Sequence, residues 1–203
     1  MRESPRIRRL RSDLKALEAL KGDSTILSFE AYGNPPDEYL VRFRGKGFER
    51  RASESAVYVR KSHEVRIRLG ASYPREVPEL HWRTPIFHPN ISGAGAVCLG
   101  GYGTHWVPSL NLDELCEMLW DMIRYQNYDV TSPYNRDAAE WAKYQREHTF
   151  PIDPRPIRDM LAGAQPISKP KRVVAAEVLF LDDEVTDARG DSRRNPSNPF
   201  VIE

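Results

Sequence analysis

An α+β domain is predicted for this chain by three features of its sequence: one amphipathic helix at the start, short alternating strands behind it, and two helices after a long irregular segment. Residues 5–21 read as the first helix. Ile7, Leu10, Leu14 and Leu17 recur at spacings of three and four and share one face, while Arg6, Arg8, Arg9, Arg11 and Lys15 fall elsewhere on the cylinder. Gly22-Asp23 stops it. Thr25 to Tyr32 alternates loosely and ends in the turn cluster Gly33-Asn34-Pro35-Pro36. Glu38 to Phe43 and His63 to Leu69 alternate more clearly, with Val65, Ile67 and Leu69 on one side and Glu64, Arg66 and Arg68 on the other. Leu80 to Thr84 is a short fourth strand. Such alternation suits an antiparallel meander with one buried face and one wet face.

From Phe87 to Pro108 the periodicity lapses and glycines gather, as in loops that carry function. Residues 110–125 resume a helical pattern, with Leu112, Leu115, Cys116, Leu119, Met122 and Ile123 on the apolar face. A further helix over about 135–148 starts at Asn135, a good N-cap type. The domain is therefore expected to occupy residues 1–150. Beyond Phe150 the prolines at 151, 154, 156, 166 and 170 predict an extended connector, so 151–203 reads as a Pro-rich, in part mobile extension. Its one apolar run, within Lys171 to Leu181, is suited to docking as a strand or a helix.

Composition narrows the function classes. Hydrophobic residues at 40% and charged residues at 29% fit a soluble globular domain. No stretch approaches the roughly 18 apolar residues of a membrane span, and no apolar core follows the basic N-terminus, so neither a membrane nor a secretory route is expected. A net charge of +1 argues against bulk binding of polyanions, and the arginine-rich helix lacks the interleaved aromatics of a single-strand platform; no nucleic-acid partner is expected. The two cysteines, Cys98 and Cys116, form no zinc spacing, so no metal or cofactor is implied, and a reducing cytoplasm suits them.

Cys116 lies on the periodic apolar face and reads as a small core hydrophobe. Cys98 lies in the Gly-rich segment; by itself it fits buried filler as well as a reactive thiol. Its surroundings are more informative. The stretch Tyr73-Pro74, His88-Pro89-Asn90, Cys98 ten residues after the His, and Trp106 eight residues after the Cys resembles the signature of ubiquitin-conjugating enzymes. The resemblance covers roughly residues 5–148. It implies a helix, a four-strand meander, an irregular active-site loop and later helices, with Cys98 carrying a ubiquitin-like protein as a thioester. It also implies that the C-terminus comes from an activating enzyme and passes to a lysine or other amine.

The residues suit that chemistry independently, because a thiol is nucleophilic near neutrality and a thioester keeps its acyl-transfer potential. By the resemblance, Asn90 stabilises the oxyanion or organises the loop, His88 and Pro89 shape the loop, Trp106 packs, and Arg6 and Arg9 of the basic helix dock on the activating enzyme. Departures are visible too. Gly100 stands where an Asp is common, Ser132 precedes Pro133 where an acid is common, and Asp129 lies three positions earlier. Asp129 or Ser132 is therefore expected to handle the incoming amine. Arg75 replaces a bulky apolar residue in the loop that meets ligases, Val107 and Ser109 flank Pro108, and 44–60 lacks the usual Tyr-x-Gly-Gly turn, so the central hairpin is divergent or extended. This drift fits a prokaryotic member of a conjugation operon, some of which act in antiphage defence, with a ligase or target protein as a further partner. The rival expectation is a non-catalytic variant of the fold that binds ubiquitin-like proteins.

Overall fold

A computed structural model describes residues 3–51, 54–99 and 106–162. Expectations about Gly100 and about the apolar run at 171–181 lie outside the described residues. Helix α1, Pro5–Gly22, opens on Ser4, whose hydroxyl accepts from the Ile7 N–H at 3.3 Å, with Pro5 in the first turn where its missing N–H costs nothing. Leu10, Leu17 and Leu20 are buried along its inner face. Removing each from water contributes roughly 1.5–3 kcal/mol.

Four strands follow as an antiparallel meander in the order β1-β2-β3-β4: β1 Leu27–Gly33, β2 Pro36–Glu49, β3 Tyr58–Arg68 and β4 Glu79–Trp82. Phe29, Val41, Val65 and Trp82 stand opposite one another across the sheet. Tyr39, Val41, Phe43, Val65 and Ile67 form the inner face, fully buried. The outer face carries a charge ladder, Glu30–Arg42–Glu64–Arg83, at 2.6, 2.9 and 3.3 Å.

The central hairpin is indeed extended. Strands β2 and β3 continue as far as the Glu49–Tyr58 pair, through an irregularity between Arg44 and Gly47. Gly45 lies in that bulge, where an added Cβ would come within 2.2 Å of the Trp120 ring, so only glycine fits. The bulge breaks the period-two alternation, which is why the sequence pattern ended at Phe43.

Helix α2, Leu112–Ile123, crosses the inner face and buries Leu112, Leu115, Cys116, Leu119, Trp120, Met122 and Ile123. Glu114 closes its N-terminus by accepting from the Asn111 N–H at 2.7 Å. Helix α3, Arg136–Tyr144, starts at Asn135, whose side chain accepts from Ala138 N at 3.1 Å. It is shorter than the pattern suggested, because Gln145 turns extended and its amide brackets His148 instead. A second core surrounds Phe48, Phe87 and Tyr125, with Trp141 and Phe150 packed on it.

The packed body continues past residue 150. Ile157 is buried in the main core, and Trp120 Nε1 donates to the Arg155 carbonyl at 2.9 Å. Asp153 is buried, accepting from Lys46 N at 3.0 Å and from Arg155. Burial pushes its carboxyl up, but those bonds outweigh burial and hold it down at about 2. Arg158 then joins Asp23 and Asp113 at 2.9 and 2.8 Å, and the short helix α4, Asp159–Ala162, holds Thr25 N through Asp159. Proline content alone suggested a connector here; side-chain anchoring, invisible to composition, makes 151–162 a strap across β2, α2 and α1.

Candidate active site

The segment after β4 folds back on itself. His81 bridges Ala96, Trp82 N donates to Gly95 O at 2.8 Å, and Ile91 bridges Val97, so residues 91–97 line the β4 edge. Gly95 has φ +87°, and a Cβ there would lie 2.3 Å from the Trp82 carbonyl. The turn is closed by Gly95 N to Ser92 O and by Ala96 N to the Ser92 hydroxyl. Cys98 follows at the end of this hairpin, half-buried, with its N–H donating to Asn90 O at 2.9 Å. It is a free thiol. Cys116 is free but fully buried, and burial pushes its thiol well above the ordinary range.

Asn90 is the junction. Besides its carbonyl bond to Cys98, its side chain is clamped on the loop before α3: Nδ2 donates to Asp129 O at 2.9 Å and Oδ1 accepts from Asp129 N at 2.7 Å. Its own N–H donates to His88 Nδ1 at 3.1 Å. His88 is fully buried against Tyr125, at 4.9 Å between rings, and burial pushes it down to about 3 against the pull of the Asn127 backbone. It is therefore neutral near pH 7 and carries its proton on Nε2. Pro89 O accepts from Asn135 N at 2.9 Å, so the same tripeptide also anchors the start of α3.

Asp129 and Ser132 lie on that clamped loop. The Asp129 carboxylate accepts from Thr131 Oγ1 and N at 2.6 and 2.7 Å, which lowers it below the usual carboxylate range. Ser132 is exposed. Trp106 stacks at a tilt on Tyr73, 5.7 Å between rings, and donates Nε1–H to Pro74 O at 2.9 Å. Structure thus joins the His-Pro-Asn turn to the backbone of the thiol, and the Trp to the Tyr-Pro pair.

Arg9 has a different place from the one expected. Its guanidinium lies inside the chain, on Asp13 Oδ2 at 2.9 Å, Tyr73 OH at 3.0 Å, Pro108 O at 2.7 Å and Leu110 O. Asp13 is fully buried and also accepts from Tyr73 OH at 2.7 Å and Leu112 N at 3.2 Å. Arg6 donates to Leu69 O at 3.0 Å and faces Asp37 at 3.6 Å. Both arginines hold α1 to neighbouring segments, and the basic side chains that α1 turns to solvent are Arg8, Arg11, Lys15 and Lys21. The Asp13–Tyr73 hub was missed from sequence. An Asp three residues after an apolar position and one before another is its only trace, and that marks an acid on the edge of the buried face without naming its partner.

No group of His, Cys, Asp and Glu among the described residues is arranged to hold a metal. No described helix is long and apolar enough to cross a membrane.

The family model for ubiquitin-conjugating enzyme matches residues 49–151. Ubiquitin-conjugating enzyme E2 13 of Saccharomyces cerevisiae is 30% identical over 115 residues, 55% of this chain and 71% of that one. Ubiquitin-conjugating enzyme E2 16 of Schizosaccharomyces pombe is 39% identical over 75 residues, 36% of this chain and 46% of that one. NEDD8-conjugating enzyme Ubc12 of Dictyostelium discoideum is 32% identical over 84 residues, 41% of this chain and 36% of that one. The chain thus spans less than half the length of the last two relatives. Among solved structures, S. cerevisiae Ubc12 superposes with a TM-score of 0.54 at 21% identity, over 72% of this chain and 76% of that one, a likeness of fold.

Proposed function

Since the chain belongs to the ubiquitin-conjugating enzyme family, we propose that Cys98 accepts the C-terminus of a ubiquitin-like protein as a thioester and passes it to an amine. The observation that carries this reading is the junction at Asn90, which ties the backbone of the half-buried thiol to the loop of Asp129 and Ser132. In the first step the Cys98 sulfur attacks the carbonyl carbon of a thioester on the activating enzyme. The new S–C bond forms, the old one breaks, and the departing thiolate takes up a proton. In the second step an amine nitrogen attacks the same carbon, Cys98 leaves as thiolate, and the amine loses its extra proton to solvent.

Both steps pass through an oxyanion. The Asn90 amide has two N–H hydrogens; one is held by Asp129 O, and the other is the donor we assign to the developing charge. His88 is excluded as the base near pH 7, since its ring nitrogen on the loop side already accepts from Asn90 and the ring is sealed from solvent. Asp129, kept ionised by Thr131, and Ser132 are assigned to orienting the amine.

The test is direct. The chain is incubated with an activating enzyme, its ubiquitin-like protein and ATP, and run on a non-reducing gel. A band that vanishes with reductant and is absent in Cys98→Ala supports the reading; its absence with cognate partners refutes it.

A further inference from the structure

A cavity of about 520 Å³ opens beside the 92–95 turn. Its wall is formed by Arg50 and Arg51 at the end of β2, by His81 to Phe87, by Ser92 to Gly95, and by Asn135 at the start of α3. Arg50, Arg51, Arg83 and His81 all line it, and among the described residues no carboxylate does. The counter-charges stand outside the lining: Asp137 on Arg50, Glu54 on Arg51 at 3.2 Å, and Glu64 on Arg83 at 3.3 Å. Glu64 is also shared with Arg42 at 2.9 Å, and Asp137 is largely exposed. These ion pairs are surface pairs of small individual worth, so an incoming carboxylate competes with them readily. Arg50 is held in place by its stack on Phe87, 4.4 Å from guanidinium to ring. Gly93 has no heavy atom within 4 Å of where a Cβ would stand, so that wall is open to a polypeptide.

Position gives the cavity its meaning. The turn at 92–95 and Cys98 belong to one hairpin, and three residues of extended chain separate Gly95 from the thiol, about 10 Å. Asn135, on the far wall, follows directly on the loop of Asp129 and Ser132 that the proposed function assigns to the incoming amine. Resting on that assignment, we propose that this cavity takes an acidic side chain of the acceptor polypeptide, a few residues from the lysine that attacks the Cys98 thioester. It would thereby select acceptors by local negative charge.

Two synthetic peptides test this: a Gly-flanked lysine with two glutamates a few residues away, and the same peptide with glutamines. Each is titrated into the isotope-labelled free chain and followed by amide shifts. The expected result is saturable shifts at 81–87 and 92–95 with the glutamate peptide alone, weakened by salt and about fivefold weaker in Arg83→Gln. Arg83 is half-exposed and outside both cores, so this variant is expected to fold, and its amide spectrum checks that. Arg50→Lys, which keeps the charge, is expected to bind better than Arg50→Gln. Equal shifts from both peptides, shifts elsewhere, or affinity indifferent to Arg83→Gln overturns the proposal. The titration needs no thioester. Loss of binding with an intact Cys98 thioester band refutes the cavity alone, and a missing band refutes the thioester reading by itself.

Discussion

Two buried histidines make the fold acid-sensitive at a pH above the ordinary carboxylate range. His88 and His63 are both fully buried; burial pushes the first down to about 3 and the second to about 4. His63 Nε2 lies 3.2 Å from Arg60 O, and Gly47 packs on its ring so closely that a Cβ would stand 2.7 Å from Cε1. Neither ring can take a proton without disrupting its surroundings. In the unfolded chain both titrate near the ordinary value, about 6.5. Below that pH the unfolded state binds more protons than the folded state, so stability falls as pH falls. Each residue contributes about 1.4 kcal/mol between about pH 7.5 and about pH 5.5, and together about 2.7 kcal/mol. With a urea slope of about 2 kcal/mol/M, the midpoint should drop by about 1.3 M over that interval.

The assay is urea unfolding followed by tryptophan fluorescence at a series of pH values, and His63→Gln should remove about half of the slope even if it lowers stability at every pH. A midpoint that does not move between those pH values would show that the rings are not held neutral, and the account of His88 as a sealed loop anchor would fall with it.

Three further outcomes follow from the packing. Iodoacetamide should modify one thiol per native chain, at Cys98, and reach Cys116 only on unfolding; mass mapping of native labelling on Cys116 would contradict its burial. Ending the chain after residue 150 should lower stability by about 3–5 kcal/mol relative to ending it after 162, since Ile157 and the Asp153 network are lost, and equal urea midpoints would refute the strap. Arg9→Lys should cost about 1.5–3 kcal/mol, because an ammonium cannot reach Asp13, Tyr73 and the 108–110 carbonyls together; calorimetry should show that loss, while Arg8→Gln leaves the melting midpoint where it was.

What was legible in the sequence is what periodicity and spacing encode. Strand β3 showed because Val65, Ile67 and Leu69 alternate with charged neighbours, and α2 because its apolar face runs unbroken from Leu112 to Ile123. The register of His88 and Cys98 showed because the closed hairpin between them needs a set length. What stayed hidden was long-range pairing. Arg9 is one of several arginines on α1, and only a partner 64 residues away in Tyr73 and another 99 away in Pro108 separates it from solvent-facing Arg8. The strap was hidden for the same reason, since Asp153 finds Lys46 across 107 residues. The cavity basics were unreadable too, because Arg50 and Arg83 meet only once β2 and the β4 edge are placed.

The chain's two cysteines show how backbone context decides the use of one side-chain chemistry. Cys116 sits on a helix, where every backbone group is spent internally and the side chain must face either core or water; here it faces core, and burial raises its thiol. Cys98 sits where a strand-like hairpin ends. Its N–H is held by Asn90 O, so the thiol's position is set by the backbone, and no side chain need cover it. Asn90 in turn is set by His88 below and Asp129 beside it. A side chain this committed cannot swing; on the proposed reading its amide stands where the charge will form. That is the arrangement a preorganised site needs, because donors already in place cost no reorganisation when charge develops. The anchoring of Asn90 therefore supports the proposed chemistry, and the loop-shaping and charge-stabilising roles are two consequences of the same three hydrogen bonds.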